Sequence, residues 1–244
     1  MRAPAVSLLL ALLTALTSCD RPAPHDDVPA RTVESAPAEP RPDYGVVSVG
    51  PDLRSLVDRV VATGDHGQRS FAVIDKRRAL VHVFDRDGRL MDSSPILLGQ
   101  AIGDDSVPGI GSKAIADIRP EDRTTPAGRF TTMPGRNADG RPVVWIDYEN
   151  AVSMHVVITE TVSEHRLERL ASADPARHRI SWGCINLPAA FFSNVVQPAF
   201  AERGGIVYVL PETRSLAEVF PTLAIGAQAV VSAAPATDTM PVSR

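Results

Sequence analysis

Between Phe71 and Leu210 the chain runs through short, β-branched apolar stretches, each closed by turn residues before it reaches helical length. Runs of that length and composition fit strands better than helices. They predict strands over 71–75, 80–85, 95–99, 128–132, 143–147, 151–158 and 205–210. Lys76-Arg77-Arg78 and Asp87-Gly88 supply turns, and the glycine-rich 103–111 and the stretch 134–142 read as loops. Helical spacing is confined to three places. Leu53, Leu56, Val57, Val60 and Val61 share one face of a helix over 53–63, whose role is packing. Short helices are expected over 164–171 and over 188–200, the latter ended or kinked near Pro198. The expected fold class is mainly β with minor helices, an α+β arrangement dominated by strands.

The two ends of the chain have a different composition. Arg2 precedes an apolar run over 6–16, too short to span a bilayer, and the run closes on Leu16-Thr17-Ser18-Cys19. That quartet resembles the lipobox of bacterial lipoproteins. The resemblance implies a signal peptide over 1–19, lipid on the Cys19 thiol, and a mature protein anchored at the periplasmic face of a membrane. Asp20 resembles the signal that retains such proteins at the inner membrane. Residues 20–44 are rich in Pro, Ala and charge and read as an extended spacer. A domain over 45–212 follows, then a C-terminal extension over 213–244, largely disordered. The net charge is −4 with the charges well mixed, so nothing provides the basic footing that nucleic acid needs.

Cys184 is one of two cysteines. With Cys19 lipidated it has no disulfide partner, and a lone exported thiol is exposed to oxidation unless it is buried or used. It sits in Arg179-Ile-Ser-Trp-Gly-Cys-Ile-Asn-Leu-Pro188, behind Gly183 and ahead of an expected helix whose first turn Pro188 suits. A helix N-terminus at that point favours the thiolate, the reactive form of cysteine. The alternative is a buried cysteine acting as a small hydrophobe.

The same ten residues resemble the signature of the L,D-transpeptidase catalytic domain (YkuD type), in which Ser or Thr is followed by His, Gly, Cys, an aliphatic residue and Arg or Asn. Ser181, Gly183, Cys184, Ile185 and Asn186 match, and Trp182 stands where the family usually has histidine. Thr125-Pro-Ala-Gly-Arg-Phe130 matches the family's upstream T-P-x-G-x-F element. His155, on the expected strand over 151–158, takes the place of the family's upstream histidine. The resemblance is clearest over 70–212 and implies a β-sandwich or mixed sheet with the cysteine in a cleft. The 29 positions from His155 to Cys184 exceed the family's usual interval. The surplus reads as an insertion over the site, a lid or flap. Val156 follows His155 where glycine is common, and keeps the backbone carbonyl that orients the imidazole in the family.

The resemblance assigns Cys184 as nucleophile and His155 as base, with His178 as the alternative base. His165 fits the interval better but lies in a charged helical stretch. Supporting roles fall to backbone around Gly183, to Ser181, Trp182 and Val156. Asn186 is a substrate contact or a helix cap, and Arg129 a carboxylate partner or a solvated surface residue. No cofactor or metal is expected. The implied reaction is cross-linking of peptidoglycan stem peptides, as donor and acceptor, through a Cys thioester. Two alternatives stay open: an L,D-carboxypeptidase or amidase using the same Cys–His pair, and an inactive peptidoglycan-binding lipoprotein.

Overall fold

The computed structural model describes residues 40–224. The expected signal peptide over 1–19, Cys19, most of the spacer and the end of the C-terminal extension lie outside the described residues. Among the described residues no helix is long and apolar enough to cross a membrane.

The protein is built on strands. A helix, α1 (Pro51–Thr63), precedes β1 (Phe71–Asp75), β2 (Leu80–Phe84), β3 (Leu90–Pro95) and β4 (Leu98–Gly99). After a stretch of 3-10 turns come β5 (Gly128–Thr131), β6 (Met133–Arg136), β7 (Pro142–Asp147) and β8 (Val152–Val156). Then follow the short helix α2 (Arg166–Leu170), β9 (Arg179–Ser181), β10 (Ile185–Leu187), a helical run over 189–200, and β11 (Ile206–Val209). Two more short helices, α3 (Leu216–Val219) and α4 (Pro221–Ala224), close the described chain.

Five strands form one sheet in the order β3-β2-β1-β11-β5, with β1 and β11 parallel. Four form a second, β10-β8-β7-β6, with β10 and β8 parallel. β4 and β9 form a small parallel pair. The mixed, strand-dominated architecture agrees with the expected fold class. Between the two larger sheets lies a common core. Ala72, Ile74, Val81, Val83, Val207 and Val209 enter it from one side, and Val144, Ile146, Met154, Ile185 and Leu187 from the other. Period-2 alternation is what allows each strand to supply both this core and its opposite face.

The other face of the five-stranded sheet carries Phe71, Val73, Phe84, Ile206 and Tyr208 and is covered by α1. Leu53, Leu56, Val57, Val60 and Val61 are the buried stripe of α1, as their spacing predicts. Pro51 begins that helix where a missing N–H costs nothing, and Gly64 ends it in the left-handed region (φ 66°). The packed unit does not stop at 212. Phe220 and Leu223 are buried on this same face, and the Arg59 Nε donates to the Leu223 carbonyl at 3.1 Å. Residues 213–224 therefore belong to the packed structure, beyond the expected domain boundary at 212. The pattern was too short and too weakly apolar to show it.

Four strands, β3, β6, β9 and β10, run where none was expected. β3 is polar (Leu-Met-Asp-Ser-Ser-Pro) and lies at a sheet edge. β6 contains Pro134 and Gly135, inside an expected loop, and is likewise an edge, the place that tolerates a missing donor. β10 has only three residues, in a stretch whose sequence reads as the approach to a helix. The helical run itself does not break at Pro198. It continues to Phe200 with a π-helical stretch, Phe192–Val196, preceding the proline and accommodating its missing N–H.

A buried ion cluster ties separate segments together. Lys76 is fully buried. Its Nζ donates to Asp104 Oδ1 (2.8 Å) and to the carbonyls of Gly103 (2.6 Å) and Thr125 (2.9 Å). Glu212 lies 3.4 Å from the same Nζ and also pairs with Arg179. The Asp104 carboxylate accepts further hydrogen bonds from the N–H groups of Glu212, Thr213 and Arg214 and from the Thr213 hydroxyl. Burial raises its pKa, but Lys76, the Thr213 side chain and the backbone N–H groups of Glu212 and Arg214 outweigh burial and hold it well below the usual carboxylate range.

Candidate active site

Cys184 leaves the turn after β9 and enters β10, which pairs in parallel with β8: Ile185 faces Met154, Asn186 faces His155, and Leu187 faces Val156. Side chains two apart on a strand share a face. Cys184 and Asn186 therefore lie beside Ser153 and His155 on one face of the four-stranded sheet. The long interval between His155 and Cys184 does not keep them apart, because the strand pairing closes it. The intervening residues loop out as α2 and two 3-10 turns, Val162–Glu164 and Pro175–His178.

Cys184 is not at a helix N-terminus. The helical run starts at Ala189, after β10 and an extended Pro188. Hence the expected dipolar activation of the thiol is absent, because Ile185–Leu187 take up strand pairing. Instead the Cys184 Sγ donates to the Ala151 carbonyl at 3.4 Å and contacts the Ser153 Oγ at 3.8 Å. Burial pushes the thiol pKa up, partly opposed by hydrogen bonds from Ser153 and by the charge of Arg166.

His155 is half-buried. Its Nδ1 faces the Val156 carbonyl at 2.8 Å, so the backbone carbonyl orients the ring as the resemblance implies. That bond leaves Nε2 with its lone pair, turned toward the Asn186 Nδ2 at 3.3 Å. Burial lowers the pKa of His155, and the guanidinium groups of Arg166 and Arg141 lower it further. At neutral pH the ring is neutral, as a base must be.

Local hydrogen bonds fix the cysteine loop. The Ser181 Oγ donates to the Cys184 carbonyl at 2.6 Å and accepts the Gly183 N–H at 3.2 Å. Gly183 has φ 123°, and a Cβ there would meet the Thr124 carbonyl oxygen at 2.7 Å, so only glycine fits without a shift. Thr125, from the T-P-x-G-x-F stretch, is fully buried. Its Oγ1 donates to the Gly183 carbonyl and accepts the Gly99 N–H, both at 2.9 Å. Trp182 stays on the surface beside this loop, with the Arg123 guanidinium stacked 3.4 Å from its ring centre. Trp182 is therefore not part of the core.

Three residues are placed elsewhere. The Arg129 guanidinium binds the Asp65 carboxylate at 2.6 Å, on the α1 side of the five-stranded sheet, and is not brought to the cysteine. His178 is buried with Nδ1 on the Ile96 carbonyl (2.8 Å) and Nε2 on the Ser172 carbonyl (3.0 Å), which leaves neither nitrogen free for a proton transfer. His165 is exposed and pairs with Glu168. Asn186 does not cap a helix. It is 1% exposed and its side chain lies between His155 and the insertion.

Three participants were missed in the sequence. Ser153 was legible as the residue two before His155 on the same strand face. Thr125 stood inside a quoted motif without a role. Arg166 gave no signal: it is one charge among many in a short helical stretch, twenty residues from Asn186, whose Oδ1 its Nη1 reaches at 2.5 Å. Beyond His155, the residues Asn137, Arg141, Pro142, Val156, Val157 and Ile158 line a cavity of about 180 Å³ open to solvent. Among the described residues no group of three or more His, Cys, Asp or Glu is placed to hold a metal ion.

No protein-family model matches the chain, and no curated protein matches it either. Solved structures do. The catalytic domain of an L,D-transpeptidase from E. faecium aligns over 59% of this chain and 98% of its own, with 20% identity and a TM-score of 0.34. An L,D-transpeptidase from Stackebrandtia nassauensis aligns over 67% of this chain and 68% of its own (12% identity, TM-score 0.37). A helical cell shape determining protein from Campylobacter jejuni aligns over 75% and 65% (14% identity, TM-score 0.40). Several of the solved structures that this chain is similar to are therefore L,D-transpeptidase catalytic domains, at low sequence identity.

Proposed function

We propose that the protein is a cysteine-dependent acyltransferase of the L,D-transpeptidase kind, acting on peptidoglycan stem peptides. The observation that carries the reading is the parallel pairing of β8 with β10, with Cys184 and His155 on one face and the imidazole Nε2 unprotonated. Strands ~4.8 Å apart and two residues of stagger give a Cα separation of about 8 Å, within joint reach of a thiol and an imidazole. A χ1 rotation of Cys184 from the Ala151 carbonyl toward the ring, with the Asn186 amide giving up its 3.3 Å contact with Nε2, brings the proton to Nε2.

The thiolate then attacks the carbonyl of the third stem residue. The carbon–nitrogen bond to the terminal D-alanine breaks, the imidazolium returns its proton to the departing amine, and a thioester remains. An amine of a second stem attacks the thioester, releases the thiol and completes the cross-link. The Gly183 N–H is held by Ser181, and the oxyanion donor in this reading is the N–H of Cys184 itself. The roles of Cys184 and His155, a domain from 45 that runs past 212 to 224, and the lipid anchor at Cys19 on the periplasmic side belong to the same proposal.

Cys184→Ala in the producing bacterium, with muropeptides analysed by mass spectrometry, tests it. Loss of the 3–3 cross-links attributable to this protein is expected; unchanged 3–3 product contradicts it. One observation favours a second reading, an inert peptidoglycan binder: the sulfur is turned to Ala151 and Ser153, and burial raises its pKa. A carbapenem separates the two, since only the enzyme forms an adduct on Cys184. Water in place of the second amine makes the same site a carboxypeptidase, which incubation of tetrapeptide without an acceptor reveals.

A further inference from the structure

The insertion between β8 and β9 sends one side chain into the site. The 3-10 turn Val162–Glu164 and α2 meet at His165, which takes a left-handed conformation (φ 51°) and turns Arg166 inward. The Arg166 side chain is 9% exposed. Its Nε donates to Glu164 Oε2 and its Nη1 to Asn186 Oδ1, each at 2.5 Å. Asn186 cannot evade this contact by moving its backbone, which exchanges N–H and carbonyl bonds with Leu97 at 2.9 Å.

A guanidinium has five donors and no acceptor. An amide beside it must turn its oxygen toward the cation. The Asn186 NH2 is then compelled to face the imidazole Nε2, which must accept rather than donate. An accepting Nε2 places the single ring proton on Nδ1, where the Val156 carbonyl receives it. Each step follows from donor and acceptor inventories, and each contact is present in the structure. Without the guanidinium, Asn186 is free to flip and offer Oδ1 to a protonated Nε2, the tautomer that cannot serve as a base.

We propose that Arg166 is a positioning residue that fixes the tautomer of His155 through the side-chain amide of Asn186. The role rests on His155 acting as the base for Cys184, as set out under the proposed function. The other charges around the ring are Arg141, which pairs with Glu160, and the Glu164 that holds Arg166 from the solvent side. Neither carboxylate touches the imidazole, so the tautomer is set from two sides, by the Val156 carbonyl at Nδ1 and by the Asn186 amide at Nε2, and Arg166 acts on the second.

Arg166→Lys and Arg166→Gln separate this role from packing. Lysine also has donors only and keeps the amide orientation, whereas glutamine offers an oxygen as well and releases it. The ring-nitrogen chemical shifts of His155 in ¹⁵N-labelled full-length protein report the tautomer directly, with Glu164→Gln as a control of unchanged tautomer. The expected result is an Nδ1–H signature in the parent and in Arg166→Lys, and a mixed or Nε2–H signature in Arg166→Gln. Cys184 alkylation by iodoacetamide should fall about tenfold in Arg166→Gln relative to Arg166→Lys as base assistance is lost. An Nδ1–H signature in Arg166→Gln equal to the parent's overturns the proposal. An unreactive Cys184 in the parent, with the tautomer shift still present, overturns the acyltransfer reading and leaves the positioning role standing.

Discussion

Thr125 shows how one hydroxyl holds the cysteine loop. It has a donor and an acceptor role at once, toward the Gly183 carbonyl and the Gly99 N–H, and no water reaches it. Thr125→Val keeps the shape and leaves both backbone groups buried without a partner, each costing about 1–3 kcal/mol. Urea unfolding should therefore show a loss of about 2 kcal/mol or more. An unchanged midpoint would mean that the loop is held by other contacts. The proposed nucleophile and base, Cys184 and His155, were legible because their types are rare and their local motifs specific. Arg166 was not, since nothing in an Arg–Leu–Glu–Arg stretch distinguishes an inward arginine from three solvated neighbours. Arg129 stood open between a carboxylate partner and a solvated surface residue. A motif position suggested a ligand contact, and a local partner, Asp65, had already claimed the guanidinium.

Among the elements, the sequence was most readable where burial on both faces forces apolar composition. β1 is buried at all five positions and β11 at all four, and both stood out as apolar runs. β3, β6 and β10 were hidden by polarity at an edge, by Pro134 and Gly135, and by shortness. The loss of β10 mattered most, because its pairing with β8 determines what Cys184 faces. It replaces a helix dipole with a neighbouring strand as the thiol's environment. At the C-terminal end, α3 and α4 were hidden by their brevity, four residues each. Ser215 caps the first of them with a reciprocal Glu218 contact, and Phe220 and Leu223 are 3% and 6% exposed. Ending the chain after Arg214 spares the Asp104 partners and removes those two anchors, worth about 1.5–3 kcal/mol each. A drop of about 3 kcal/mol or more in unfolding free energy is expected; equal stability would show that this segment does not contribute.

At the scale of the whole molecule, the Lys76–Asp104–Glu212 cluster joins β1, the loop before Thr125 and the segment after β11. Its pH dependence has a definite sign. The Asp104 carboxyl is depressed in the folded protein, so between the folded and unfolded pKa values the unfolded chain binds the extra proton. The stabilisation is complete above the unfolded value of about 4 and is lost as pH falls below it. Acid titration of the unfolding free energy should show this slope in the parent and a shallower one in Asp104→Asn. At pH 7 the same substitution should cost about 3–5 kcal/mol, since it leaves the buried Lys76 without its closest counter-charge. Identical acid slopes would place the pH sensitivity elsewhere.

The most direct test of the central claim is intact-protein mass spectrometry after brief incubation with a stem tetrapeptide. The account predicts a covalent adduct of the tripeptide acyl group, with D-alanine released, mapped to the peptide carrying Cys184 and absent in Cys184→Ala and His155→Ala. Release of D-alanine without any acyl mass on Cys184 in rapid quench, or no adduct and no release at any pH at which the fold persists, would contradict it.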